Sequence, residues 1–276
     1  MTPIHSPSDQ PLSVEALWRR IGLPDCPVVI DGRTAEDFAA DPRLIPGAIY
    51  RPGLDARDWA AEFAGRDIVV YCQRGLKISQ GAAAYARCAG AGAATLEGGF
   101  VAWRDAGLPL VPADAAGQRD ARGLSHWVTR ARPKVDRIAC PWLIRRFVDR
   151  DAVFLFVQAS EVMAVADKFH ATPFDVDGAH WNHRAEKCTF DAMVEDWGLA
   201  ADPAMALLAK VVRGADTGRP DLTPESGGLV AVSLGLSALI TDDLDQLDRA
   251  MVVYDALYSW ARNTVAAGAK HHGVAA

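Results

Sequence analysis

Residues 67–90 read DIVVYCQRGLKISQGAAAYARCAG. A β-branched run ends on Cys72, a polar, cationic turn containing Gly75 follows, and an alanine-rich stretch takes over near Ile78. The first segment has the composition of a buried strand and the last that of a helix. A cysteine at the carboxyl end of such a strand has two readings. Among apolar neighbours it is a small hydrophobe with a raised pKa, and on a basic loop that opens a helix it is a thiolate nucleophile.

The flanking segments repeat the same alternation. VVIDGR (28–33), GAIYRP (47–52) and AATLEGG (93–99) read as strands, and AEDFAA (35–40), ARDWAAEFAG (56–65) and FVAWRDAGL (100–108) as helices. Short apolar strands alternating with helices imply parallel β-α units, a three-layer α/β domain with a parallel sheet and helices on both faces. Ligands in such sheets bind at the carboxyl ends of strands, which is where Cys72 falls.

At 276 residues the chain is long enough for two cores. Composition shifts after Pro112, and ADAAGQRDARG (113–123) is small and polar with no hydrophobic period. The expected organisation is a first domain over 1–112, a linker over 113–124 and a second domain over 125–276. In the second, SHWVTR and AVFLFV read as strands, and a helix starts near Cys140 with Pro141 in its first turn. That helix places Trp142, Leu143 and Phe147 inward and Arg145, Arg146 and Arg150 outward. Ser160 is the expected cap of another helix, Asp202-Pro203 opens a third, and Leu244, Leu247, Met251, Tyr254 and Tyr258 form one apolar stripe of the last. The second domain is an α-rich α+β fold, ending in the tail AGAKHHGVAA.

Half of the residues are hydrophobic and 23% charged, the balance of a soluble globular protein. MTPIHSPSDQPLS has neither the basic start nor the apolar run of a signal peptide, and GLVAVSLGLSALI is shorter than the ~20 residues a bilayer needs. A cytoplasmic location without a membrane partner is the expectation. Five widely spaced cysteines, an odd number, argue against a disulfide framework and for reduced thiols. The net charge of −6 argues against a dedicated nucleic-acid binder. One stretch departs from it: Arg119–Arg150 carries nine basic residues against three acidic ones, a solvated face or a surface for phosphates or a small oxyanion.

The six residues CQRGLK, 72–77, combine a glycine, two cations and a helix start. Backbone N–H groups of such a turn can converge on one point, and Arg74 and Lys77 would lower the Cys72 pKa and attract an anionic sulfur donor. Together with VIDGRTAEDF, LIPGAIYRP and LEGGFVAWRDAGLPL, this loop resembles that of rhodanese-type sulfurtransferases, over residues 25–112. The resemblance implies Cys72 as a catalytic persulfide carrier, Gln73, Arg74, Gly75, Leu76 and Lys77 as the substrate loop, no cofactor for sulfur transfer, and a thiol, cyanide or a protein as sulfur acceptor. Two positions depart from the family pattern. Leu44 replaces a usual histidine, and Gly32 replaces the valine of Asp-Val-Arg. Arg33 reads as a structural tether, Trp103 as core, and Cys88 as inward-packed.

Residues 175–193, DVDGAHWNHRAEKCTFDAM, gather carboxylates, imidazoles and a thiol. His183, Cys188 and Asp191 are the candidate ligands of a divalent transition metal, against the alternative that they are surface-turn and core residues. Asp136 and Asp216 read as arginine partners, or as groups completing a metal or oxyanion pocket if they converge on His183. WVTRARPKVDRIACPWLIRRFVD, LLAKVVRGADT and MVVYDALYSWAR with this segment resemble the C-terminal domain of the chromate-resistance B family, over residues 125–263. That resemblance implies a link to chromate, as ligand, substrate or stress signal, and carries no catalytic residue with it.

The expected function is a rhodanese-type sulfurtransferase coupled to a chromate- or metal-responsive second domain, with a homodimer as candidate assembly. The alternative is a chromate- or metal-sensing regulatory binding protein with an inactive or sensory rhodanese module.

Overall fold

A computed structural model describes residues 10–120 and 123–271. The readings of residues 1–9, Arg122 and the final 272–276 lie outside the described residues. The chain divides into two compact units that part after Ala113.

The first unit opens with α1 (Val14–Trp18), capped by Ser13 and too short to show a period in the sequence. Its strands are β1 (Val28–Asp31), β2 (Arg43–Leu44), β3 (Ala48–Tyr50), β4 (Asp67–Tyr71), β5 (Gly92–Thr95) and β6 (Val111–Pro112), and its further helices α2 (Ala35–Ala40), α3 (Ala56–Trp59), α4 (Lys77–Cys88) and α5 (Gly99–Asp105). Four strands form a parallel sheet in the order β3-β1-β4-β5, and β2 pairs antiparallel with β6.

Strand period places alternate residues on opposite faces. Val28, Ile30, Ile68, Val70 and Ala93 pack with Trp59, Phe63, Ala82, Ala83 and Ala86 of α3, α4 and the turn between them. On the other face Tyr71 stacks on Phe100 of α5, ring centroids 6.4 Å apart. Helices therefore cover both faces, and each fully buried Val, Ile or Phe contributes about 1.5–3 kcal/mol. Arg33 and Asp31 are both completely buried and joined at 2.6 Å, the guanidinium also donating to the carbonyls of Asp41 and Arg43 and lying 3.9 Å from the Phe100 ring centroid. The tether locks the end of β1 to the loop before β2.

Two readings of this unit change. The segment 56–65 is α3 followed by a 3-10 turn, Ala60–Phe63, closed at Gly65 with φ of +75°. Cys88 is exposed, because α4 buries Ser79, Ala82, Ala83 and Ala86, a helical stripe that Cys88 does not share.

The second unit pairs β7 (His126–Arg130) in parallel with β8 (Val153–Val157) and β9 (Thr172–Pro173), in the order β8-β7-β9. Its helices are α6 (Val135–Phe147), α7 (Val162–Phe169), α8 (Thr189–Asp196), α9 (Pro203–Asp216), α10 (Pro224–Leu239) and α11 (Asp243–His271). Val128 packs on Val162 and Ala166 of α7. Trp142 anchors the helical layer, 6.4 Å from Phe190, 6.2 Å from Tyr254 and 5.6 Å from Tyr258, with its indole N–H on Asp255. No helix among the described residues is long and apolar enough to cross a membrane.

Asp202 caps α9 and Pro203 opens it, as the dipeptide signals. Elsewhere tertiary contacts override local signals. The helix expected near Cys140 begins at Val135, with Pro141 inside it. Its start is held from afar: Asp136 N–H donates to Asp216, Gln246 to the Pro133 carbonyl, and the Tyr254 hydroxyl to the Val135 carbonyl. Ser160 caps nothing, since a 3-10 turn occupies 159–161 and α7 starts at Val162 without a side-chain cap. Leu244 is exposed, so the apolar stripe of α11 begins at Leu247. That helix reaches His271, into the segment read as a tail.

The segment read as linker is built into the second unit. Arg119 pairs with Asp149 at 2.8 Å and bridges to Ser125. Arg145 and Arg146 do not face water freely either, pairing with Asp248 and Asp255 at 2.8 Å. Arg132, at φ of +57°, closes α10 by donating to the carbonyls of Ser237, Ile240 and Thr241.

Candidate functional site

In the first unit β4 delivers Cys72 to the start of α4. Burial in the loop pushes the Cys72 thiol up, but the hydrogen bonds that its thiolate accepts from the Ser79 hydroxyl and from the backbone N–H groups of Ser79, Leu76 and Arg74 outweigh it, leaving the thiol below its ordinary value. The Cys72 sulfur lies 3.3 Å from Ser79 Oγ, which in turn is 3.0 Å from the Leu76 carbonyl. The depression comes chiefly from this cradle of donors rather than from the two cations. Arg74 and Lys77 stand exposed at the rim, with no ion-pair partner among the described residues. Leu76 is exposed beside them, while Gln73 keeps a buried Oε1 that has no partner.

Glycines let the loop pack closely against the turn before α5. Gly75 has φ of +67°, and a Cβ there would sit 2.4 Å from the Leu96 carbonyl and 2.8 Å from the Gly99 nitrogen. Gly99, at φ of +61°, would bring a Cβ to 2.1 Å from the Cys72 carbonyl. That approach lets Phe100 N–H donate to the Cys72 carbonyl at 3.0 Å and Val101 N–H to that of Gln73 at 3.1 Å. The sequence reading missed Ser79 and Gly99. The Gly98-Gly99 pair before a helix was the available signal.

The second unit brings together a different set from the one spacing suggested. His183 Nε2 lies 3.1 Å from Asp216, 3.5 Å from Asp175 and 3.7 Å from Asp136. Asp136 stands in the first turn of α6, Asp175 follows β9 with φ of +52°, and Asp216 ends α9. Burial pushes the Asp136 carboxyl well above the usual range, and the neighbouring Asp216 and Asp175 add to it. Asp216 is raised by burial and by Asp175, with His183 opposing. Thr189 N–H and Phe190 N–H, at the start of α8, donate to Asp136 Oδ2 at 2.6 and 3.4 Å. Arg130 and Arg137 meet Asp175 Oδ2 at 2.8 and 3.3 Å.

Of the expected ligands His183, Cys188 and Asp191, His183 stands in this cluster, and Cys188 borders it through a hydrogen bond to the Asp136 carboxylate. Asp191 is 3% exposed and held by Arg213 Nε and Nη2, each at 2.8 Å, with its Oδ2 also accepting from Cys188 N–H. Cys188 is fully buried, and burial raises its thiol far above the ordinary value, with Asp136 and Asp191 adding to it. Asp191 is taken up by Arg213 and by the cap of α8, which leaves it outside the His183 cluster. Asp136 and Asp216 converge on His183 instead. The spacing could not reveal this, because the three carboxylates come from three separate elements.

Residues 13–106 match the family model of the rhodanese-like domain, and residues 127–261 that of the ChrB C-terminal domain. Protein ChrB of Cupriavidus metallidurans is 35% identical over 133 residues, 48% of this chain and 40% of that protein. The HTH-type transcriptional regulator Rv0324 of Mycobacterium tuberculosis is 36% identical over 117 residues, 42% of this chain and 50% of that protein. The chain thus spans half or less of the length of these curated relatives. Among solved structures, a rhodanese-like domain protein from Staphylococcus aureus is 27% identical, covering 34% of this chain and 90% of that one with a TM-score of 0.30. The chain joins a rhodanese-like domain, over 13–106, to a ChrB C-terminal domain, over 127–261.

Proposed function

We propose that the rhodanese-like domain is a sulfurtransferase that carries sulfane sulfur as a persulfide on Cys72. The observation that carries this reading is the donor cradle that lowers the Cys72 thiol at a helix start, rimmed by the exposed cations Arg74 and Lys77. The Cys72 thiolate attacks the outer sulfur of thiosulfate, a new S–S bond forms, the donor S–S bond breaks, and its electron pair leaves with sulfite. The resulting persulfide anion occupies the backbone donors. A thiol or cyanide then attacks the outer sulfur and returns the Cys72 thiolate, so charge is conserved in both steps. The ChrB C-terminal domain makes this delivery chromate- or metal-responsive.

Intact mass after thiosulfate treatment tests the first step. The chain gains one sulfur, and Cys72→Ser gains none. Absence of any gain with thiosulfate and with other sulfane donors overturns the reading.

A regulatory reading has the transcriptional-regulator relative in its favour. Against it, Arg119, Arg130, Arg132, Arg137, Arg145 and Arg146 of the basic stretch are engaged by carboxylates or carbonyls, which leaves few cations for phosphates. Salt-dependent DNA binding by the intact chain would restore that reading.

A further inference from the structure

We propose that the ChrB C-terminal domain holds a divalent transition-metal ion on Asp136, Asp175 and His183. One oxygen of each carboxylate and one imidazole nitrogen lie within 4.8 Å of one another. Ligands sharing an ion at about 2.0–2.2 Å stand about 3–3.6 Å apart, so small side-chain rotations close the site. The proposal is independent of sulfur transfer at Cys72.

Asp136 supplies a second observation. It is 1% exposed, its Oδ2 accepts from the start of α8 and lies 3.7 Å from His183 Nε2, and its Oδ1 is buried without an N–H or O–H donor, the Cys188 thiol standing beside the carboxylate. A buried carboxylate oxygen without a donor is costly, and a cation satisfies it.

The surrounding groups hold these ligands as outer-shell partners do. Thr189 Oγ1 donates to Asp175 Oδ1 at 3.1 Å, while Arg130 and Arg137 occupy Oδ2. Asp216 Oδ2, 3.1 Å from His183 Nε2, adds a third carboxylate beside the ion. His183 and Asp175 border an open pocket with Arg130 and Asn182, which gives the ion a way in. Two carboxylates with one imidazole suit Mn²⁺, Fe²⁺ or Zn²⁺, and the absence of a thiolate from the set disfavours softer ions.

The competing arrangement has His183 as an imidazolium counter-ion of the three carboxylates. The experiment strips the intact chain with chelator and titrates it with Mn²⁺, Zn²⁺ and Co²⁺, reading metal content, calorimetry, melting temperature and the cobalt spectrum. One ion binds per chain, binding raises the melting temperature, and cobalt shows weak d–d bands without thiolate charge transfer. His183→Gln and Asp175→Asn weaken binding by about a hundredfold or more, beyond the 10–100-fold typical of outer-shell losses, and Cys72→Ser leaves it unchanged. His183 is 40% exposed, so His183→Gln decides the question even if Asp175→Asn fails to fold. No stoichiometric uptake of any of the three ions, uptake indifferent to His183→Gln, or an intense thiolate-to-cobalt band each overturns the proposal.

Discussion

Replacing Ser79 with alanine isolates what lowers the Cys72 thiol. Its hydroxyl lies 3.3 Å from the sulfur and 3.0 Å from the Leu76 carbonyl, and the residue is fully buried. When the thiol ionises, the hydroxyl turns its proton to the sulfur, and the substitution removes that donor while leaving the three backbone donors. A hydrogen bond to a charged group is worth about 1.5–3 kcal/mol. At about 1.4 kcal/mol per unit, the Cys72 pKa rises by about one to two units. Iodoacetamide alkylation of the Cys72 peptide across pH, quantified by mass spectrometry, measures it. Half-buried Cys26 and exposed Cys88 are changed to serine in both proteins, Cys140 and Cys188 are completely buried, and Cys72 keeps 5% of its surface exposed. At a pH below both midpoints the thiolate fraction falls about ten- to hundredfold, but the more basic thiolate is about three- to tenfold more nucleophilic. The net rate therefore drops by only about three- to tenfold, whereas the midpoint shifts by the full amount. A midpoint that stays in place in a folded Ser79→Ala protein would refute the cradle as the source of the lowered pKa.

Three further outcomes follow from the same geometry. Gly99→Ala, which combines a positive φ with a Cβ 2.1 Å from the Cys72 carbonyl, lowers stability by about 2–5 kcal/mol in a denaturant titration and abolishes sulfur uptake. Arg33→Ala leaves Asp31 buried without its cation and costs about 3–5 kcal/mol, read as a lower melting temperature. Asp216 is raised in the folded state, so its stabilising contribution is complete only below the unfolded carboxylate pKa and is lost as pH rises through the folded value. In chelator, Asp216→Asn therefore raises the melting temperature at neutral pH and leaves it unchanged in acid.

The strand, loop and helix around Cys72 are legible because their determinants are local. Apolar β-branched residues precede the cysteine, Gly75 turns the chain, and alanines carry α4, all within one stretch of sequence. The Asp202-Pro203 helix start is legible for the same reason. The source of the lowered thiol was not, because charge in the loop drew attention to Arg74 and Lys77 while the donors are backbone N–H groups and a serine one turn into the helix. Gly99 supports the loop from a separate segment, a contact that no local pattern encodes.

In the second domain proximity in sequence misled. Cys188 and Asp191 lie near His183 along the chain, yet α8 turns Asp191 to Arg213 and buries Cys188 at its cap. Asp136 and Asp216, 80 positions apart, meet instead, because α6 and α9 pack with opposite ends at one point, where the β9 loop adds Asp175 and His183. The sequence by itself determined the strand that ends at Cys72, the loop after it and the parallel β-α frame, all set by propensity and turn chemistry over short spans. Only the tertiary structure decided which carboxylates share a site, because that depends on how buried helices pack and on which arginines neutralise the other acids first.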